Sequence, residues 1–187
     1  MMDQFLEEVV TKRNKTMQTV MYVFANLLWI FLALYAMLCF TSLSTAMQED
    51  GGFGANFFIV IAQLLVFGGA ALGIFLYKDR VKMEYEYTLT NQQMDFAQVY
   101  NNKKRKNLGT LHLKNIEACG LVSSGSFRRY VDMQGIKRMN WFLNRDAELL
   151  YFYFQKEKEK KMIIIEPSEE MIAMIKKGLA QGAWQNN

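Results

Sequence analysis

The sequence predicts two parts: a helical hairpin that crosses a membrane, and an α+β domain of about seven antiparallel strands closed by one C-terminal helix. Three observations lead there. Residues 17–40 and 53–77 are apolar runs, with no Asp, Glu, Lys or Arg between Lys15 and Glu49 or between Asp50 and Lys78. From Val81 the hydrophobic period becomes two, as Val81, Met83, Tyr85, Tyr87 and Leu89 alternate with polar side chains. Late in the chain the only proline, Pro167, opens a stretch with helical spacing. The predicted division is an amphipathic segment over 1–16, the hairpin over 17–77 and a cytosolic domain over 78–187.

A helix rises about 1.5 Å per residue, so roughly 20 apolar residues cross a hydrocarbon core about 30 Å thick. Both runs reach that length. The mean hydropathy of −0.03 hides them, because it averages a very apolar first third with a polar remainder. Lys12, Arg13 and Lys15 flank the first run, and Lys78, Arg80 and Lys82 flank the second, whereas Glu49 and Asp50 lie between them. Basic flanks stay on the cytoplasmic side, which predicts a multi-pass protein of the cell membrane with both termini inside and the turn 41–52 outside. A cleaved signal peptide is the competing reading, but a signal's apolar core is usually only about 7–15 residues long. Cys39 falls within the first run and Cys119 in the polar region, so no disulfide between them is expected.

In the first segment Met2, Phe5, Leu6, Val9 and Val10 share a helical face opposite Asp3, Glu7 and Glu8. Such a helix would lie on the inner leaflet or pack on the soluble domain. Within the spans, Gly69 and Gly73 form a small-xxx-small pair. Counting depth from the basic ends sets Ala25 level with Gly69, which predicts close packing inside the hairpin in preference to a homodimer contact. Asn26 and Gln63 are the side-chain amides expected near mid-membrane. No ionisable group lies there, which argues against a pump or pore.

Beyond the strand at 81–90, Asn91-Gln92-Gln93 reads as a turn and Met94 and Phe96 open the returning strand. A basic turn at 101–107 follows, then strands over 108–113 and 116–122. Short strands are expected near 130–133 and 139–143. A hairpin over 149–155 and 162–165 surrounds the charged tip 156–161. Glu169 and Glu170 at its start and Lys176 and Lys177 at its end suit a helix dipole after Pro167, with Met171, Ile172, Ile175 and Leu179 on the buried face. A frayed tail over 181–187 completes the chain.

Seven strands closed by a helix resembles the order of elements in pleckstrin-homology-like domains. Tyr87-Thr88-Leu89-Thr90-Asn91 with Met94 and Phe96, and Leu111-His112-Leu113-Lys114-Asn115-Ile116, are similar to the bacterial version. The start through Lys12, the two apolar runs, the 85–96 stretch, 103–106 and Ile165-Glu166-Pro167-Ser168-Glu169 resemble small uncharacterised membrane proteins of clostridia and their relatives. That resemblance implies architecture and carries no activity.

His112 is the only histidine, and no metal-ligand spacing, phosphate loop or nucleophile motif occurs, so no catalytic residue, metal or cofactor is expected. Lys103, Lys104, Arg105 and Lys106 are the candidate contact for an anionic leaflet, unless they are simply a solvated tip; Arg128, Arg129, Lys137 and Arg138 would extend them if they share a side. Aromatic residues do not interleave with this run, so nucleic acid is not an expected partner. One face of Tyr151-Phe152-Tyr153-Phe154 is expected in the core and the other could be open to a partner. The sequence thus points to a non-catalytic membrane-anchored interaction or scaffold module with the bilayer, and a further membrane or cytosolic protein, as partners. An accessory subunit of a membrane complex and an anionic-lipid-sensing module are the alternatives.

Overall fold

The structure is a computed structural model and describes residues 5–185. Two compact units are present: Asn14–Lys82 is one, and the residues before and after it combine to form the other. The sheet domain is therefore discontinuous, with the helical unit inserted into it.

The first element is the main departure from expectation. Phe5–Val10 is a strand, β1, not an amphipathic helix. Helical spacing and strand alternation overlap in this short run, and pairing decides between them. β1 lies antiparallel to β2 (Met83–Thr90), with Leu6 opposite Leu89 and Val10 opposite Tyr85. Leu6 and Val10 face inward while Phe5 and Val9 stay exposed. Met2 and Asp3, which the helical reading also used, lie outside the described residues. The predicted division at residue 16 gives way to one in which residues up to Arg13 belong with the sheet domain.

β3 (Gln93–Tyr100) and β4 (Lys104–His112) complete a four-stranded sheet in the order β1-β2-β3-β4. The second sheet, in the order β5-β7-β8-β6, contains β5 (Ala118–Leu121), β6 (Lys137–Trp141), β7 (Leu150–Lys156) and β8 (Glu159–Ile165). The described residues thus hold eight strands, where about seven were expected. The strand expected near 130–133 is instead the last residues of a helix, Gly125–Val131, and the turn after it. Ser124 stands at the N-cap of that helix.

The main core lies between the sheets and under the helix Glu169–Gly178, with Tyr87, Phe96, Phe152, Ile165, Met171 and Ile175 all at 1% exposure or less. Ser168 caps this helix by accepting from the Met171 amide, one residue after Pro167. The other face of the second sheet is closed too. Phe127 and Tyr130 of the short helix stack on Tyr151 and Tyr153, with centroids 4.9–5.7 Å apart. Tyr151 to Phe154 is buried on both faces, which removes the open aromatic patch that the sequence allowed. The tail is more ordered than expected: Trp184 bridges to Cys119 in β5.

In the inserted unit, Lys15–Glu49 and Ala55–Tyr77 are helices of 35 and 23 residues, each long and apolar enough to cross a membrane. Asp50 closes their turn by accepting from the Phe57 amide at 3.1 Å and the Asn56 side chain at 2.9 Å. Their register is set by Trp29 against Phe75, Tyr35 against Phe67 and Ala36 against Gly68. At the basic end Lys78 donates to Asn26 at 2.7 Å and sits over the Trp29 and Phe75 rings. Asn26 is therefore level with the basic flank, not with mid-membrane. The same register puts Ala25 beyond Lys78, far from Gly69. The first helix is the longer one, and its opening turns run past the end of the second.

Candidate functional site

The end of the first sheet at which the chain leaves for the inserted helices gathers most of the polar features. Val10 ends β1 opposite Tyr85, Met83 begins β2 opposite Tyr100, and Tyr100 ends β3 opposite Lys104. Both crossings to the helical unit and the basic β3–β4 turn thus share one sheet end by register alone. Connectivity forces this, because β1 and β2 are antiparallel neighbours joined through the insertion.

The four basic candidates do not act as one patch. Arg105 lies on the outer face of the sheet and pairs with Glu86 at 2.8 Å. Lys104 and Lys106 alternate onto the opposite face, opposite Tyr100 and Gln98, and Lys103 is in the turn. All four are exposed. Only the turn at its start is loop, since Lys104, Arg105 and Lys106 are already strand β4. Lys137 and Arg138 belong to the other sheet, with Lys137 opposite Lys161 and Arg138 donating to the Val131 carbonyl at the end of the helix carrying Arg128 and Arg129. None of those four lies on the sheet that carries the β4 run.

Gly69 is exposed, and a Cβ added at Gly69 or Gly73 would meet nothing within 4 Å. Neither glycine packs inside the hairpin. The close approach is made one residue earlier, at Gly68, whose Cβ would stand 3.8 Å from that of Ala36, and by buried Ala71, Ala36 and Cys39.

A polar clasp that sequence reasoning missed holds the exit of β1. Asn144 is the one buried polar residue in the described core, at 8% exposure. Its Nδ2 donates to the Thr11 carbonyl at 3.0 Å and to Glu166 Oε1 at 2.7 Å, while its Oδ1 accepts from the Arg13 amide at 2.9 Å. Glu166 Oε2 accepts from the amides of Leu143 and Asn144, at 3.2 and 2.9 Å. Arg13 also pairs with Asp146. Next to the clasp, the Ser168 amide donates to Glu8 at 2.9 Å. The groove lined by Glu8, Thr11, Arg13, Asn144, Glu166 and Ser168 encloses about 450 Å³. Buried polar groups persist when satisfied, and no buried side-chain N or O among the described residues lacks a partner. The only sequence hint of the clasp was Glu166 in the 165–169 motif.

His112 is exposed at the end of β4 and lines a shallow depression with Asp95 and Gln93. Among the described residues no three His, Cys, Asp or Glu side chains could share a metal ion. Cys39 and Cys119 are both free and buried. Burial pushes the Cys119 thiol well above its ordinary range, which is the reverse of what a nucleophile requires.

Two packed sheets closed by a helix, the first antiparallel and the second mixed because β6 runs parallel to β8 and not antiparallel as expected, with two helices long and apolar enough to cross a membrane inserted after the first strand, define a PH-like protein. Comparison with families agrees: residues 2–184 match the family described as Bacterial PH-like domain (DUF6106), and the chain belongs to it. Neither the curated proteins nor the solved structures gave a match.

Proposed function

We propose that this protein is a non-catalytic interaction module that holds its PH-like domain at the cytoplasmic face of the cell membrane. The observation that carries this reading is the insertion itself. The apolar hairpin leaves and re-enters one end of one sheet, so the domain is tied by two links in place of a single flexible tail. The basic flanks of both helices favour cytoplasmic termini. At the same sheet end the side chains of Lys103, Lys104 and Lys106 are exposed, and a basic side chain contributes about 1 kcal/mol near an anionic leaflet. Arg105 is engaged by Glu86 and adds less.

The test puts an environment-sensitive fluorophore on Asn102→Cys in the full chain, with Cys39 and Cys119 replaced by Ala, in nanodiscs of neutral or anionic lipid. Emission should shift on anionic discs at low salt, return as salt screens the turn, and stay unshifted in the Lys103→Gln, Lys104→Gln, Lys106→Gln triple variant. Identical emission on neutral and anionic discs would remove lipid contact and leave a solvated turn.

A further inference from the structure

β5 is an edge of the second sheet, with β7 as its strand partner on one side. An edge strand presents open N–H and C=O groups to any extended segment that can reach them. At Cys119 those groups are taken. The Cys119 amide donates to the Ala183 carbonyl at 2.8 Å, and the Gln185 amide donates to the Cys119 carbonyl at 2.8 Å. Residues 183–185 therefore lie parallel to β5 as a short added strand.

The seat for this segment is specific. Ala183 is 4% exposed in a slot that admits a small side chain. The Trp184 ring is half-buried with the Lys176 ammonium 4.1 Å from its centroid, so the last turn of the C-terminal helix forms the second wall. Gly120 supplies the floor: a Cβ there would stand 3.1 Å from the Gln185 carbonyl oxygen and 3.2 Å from the Tyr151 ring, tighter than most side-chain contacts, so bare backbone favours the close approach of the segment. Main-chain bonds from a sheet edge together with side-chain slots are the means by which extended peptides are recognised.

We propose that the groove between β5 and the C-terminal helix is a peptide-binding site for an extended segment carrying a small residue followed by an aromatic one, and that residues 183–185 occupy it in cis. This rests on the interaction-module reading and names the kind of protein partner. Its test involves no lipid, so the two can fail separately. A tethered segment competes at millimolar effective concentration. A partner held in the same membrane presents its own segment on comparable terms, whereas a dilute soluble peptide does not.

The test uses the full chain in detergent micelles and a fluorescein-labelled peptide spanning residues 179–187, read by anisotropy. Trp184→Ala removes the ring that Lys176 covers and frees the groove without shortening the protein. This acceptor should bind the wild-type peptide saturably and roughly tenfold or more tighter than the intact chain does. A chain ending at Gly182 should behave the same way. A peptide that keeps only the Ala-Trp pair within unrelated flanks should bind within about threefold of the native one. Adding Gly120→Val to either acceptor should abolish binding. The proposal is overturned if both folded acceptors take up the wild-type peptide no better than a scrambled one, or if only the native flanks bind. Unfolding of the domain in both acceptors would also overturn it, since residues 183–185 would then be a structural strand.

Discussion

Asn144 donates to the carbonyl of Thr11 at 3.0 Å across 133 positions of sequence. That bond joins the loop before β7 to the strand exit that leads into the first apolar helix. Glu166 orients Asn144 by accepting, through its two carboxylate oxygens, from the backbone and side-chain amides of Asn144. The clasp is therefore what fixes residues 11–13 to the sheet domain.

Asn144→Ala removes the donor to Thr11 and Glu166 and the acceptor for Arg13, and it leaves Glu166 short of a partner. The expected cost is about 2–3 kcal/mol of domain stability, read by denaturant unfolding in detergent. Asp146→Ala removes only an exposed pair with Arg13 and should cost under about 1 kcal/mol. Equal effects from the two would mean that burial at Asn144 is not what gives the clasp its weight.

Both termini and the whole sheet domain should be cytoplasmic. In a background lacking Cys39 and Cys119, an impermeant thiol reagent applied to intact cells should label Gln48→Cys and not Lys104→Cys. The opposite pattern would invert the orientation that the basic flanks imply.

The hairpin contact should reside at Gly68 and not at its neighbours. Gly68→Leu drives new carbons toward Ala36 and should lower hairpin stability by about 1–3 kcal/mol. Gly69→Leu and Gly73→Leu point into open space and should leave the unfolding transition in lipid unchanged. A loss at Gly69 equal to that at Gly68 would restore the small-xxx-small pair as the packing seam.

Stability should fall at alkaline pH. Burial raises the Cys119 thiol above its ordinary 9.0 and the Tyr87 phenol above its ordinary 10.0, so the folded state keeps both protonated. Their contribution is fully present below about pH 9 and declines as the unfolded chain begins to lose those protons. Each group adds a slope of about 1.4 kcal/mol per pH unit above its unfolded value. Cys119→Ala should flatten the fall that starts near pH 9, and an unchanged pH profile would show that the thiol is not linked to folding.

Some of this was legible without a structure, because it rests on near neighbours in the chain. Two apolar runs long enough to cross a bilayer, the alternation from Met83 to Leu89, and the helix after Pro167 with Met171, Ile172 and Ile175 buried are all decided within a few residues. Periodicity and end-capping are short-range properties, so a local reading recovers them.

The rest depended on partners far away in the sequence. Phe5, Leu6, Val9 and Val10 fit a helical face and a strand equally well, and only β2, joined through a 69-residue insertion, selects the strand. Strand alternation sends Arg105 to Glu86 on one face while Lys104 and Lys106 take the other, so four consecutive charges do not form one site. Gly69 matched a packing motif, but the register set by Trp29 with Phe75 and Tyr35 with Phe67 turns it outward. The sequence by itself determined that this chain has two apolar helices and a β-rich domain with a closing helix. Tertiary structure alone decided that the domain begins before those helices and that Asn144 and Glu166 hold residues 11–13 to it. The reason is physical: strand pairing and helix register are set by contacts between distant segments, whose geometry no local pattern encodes.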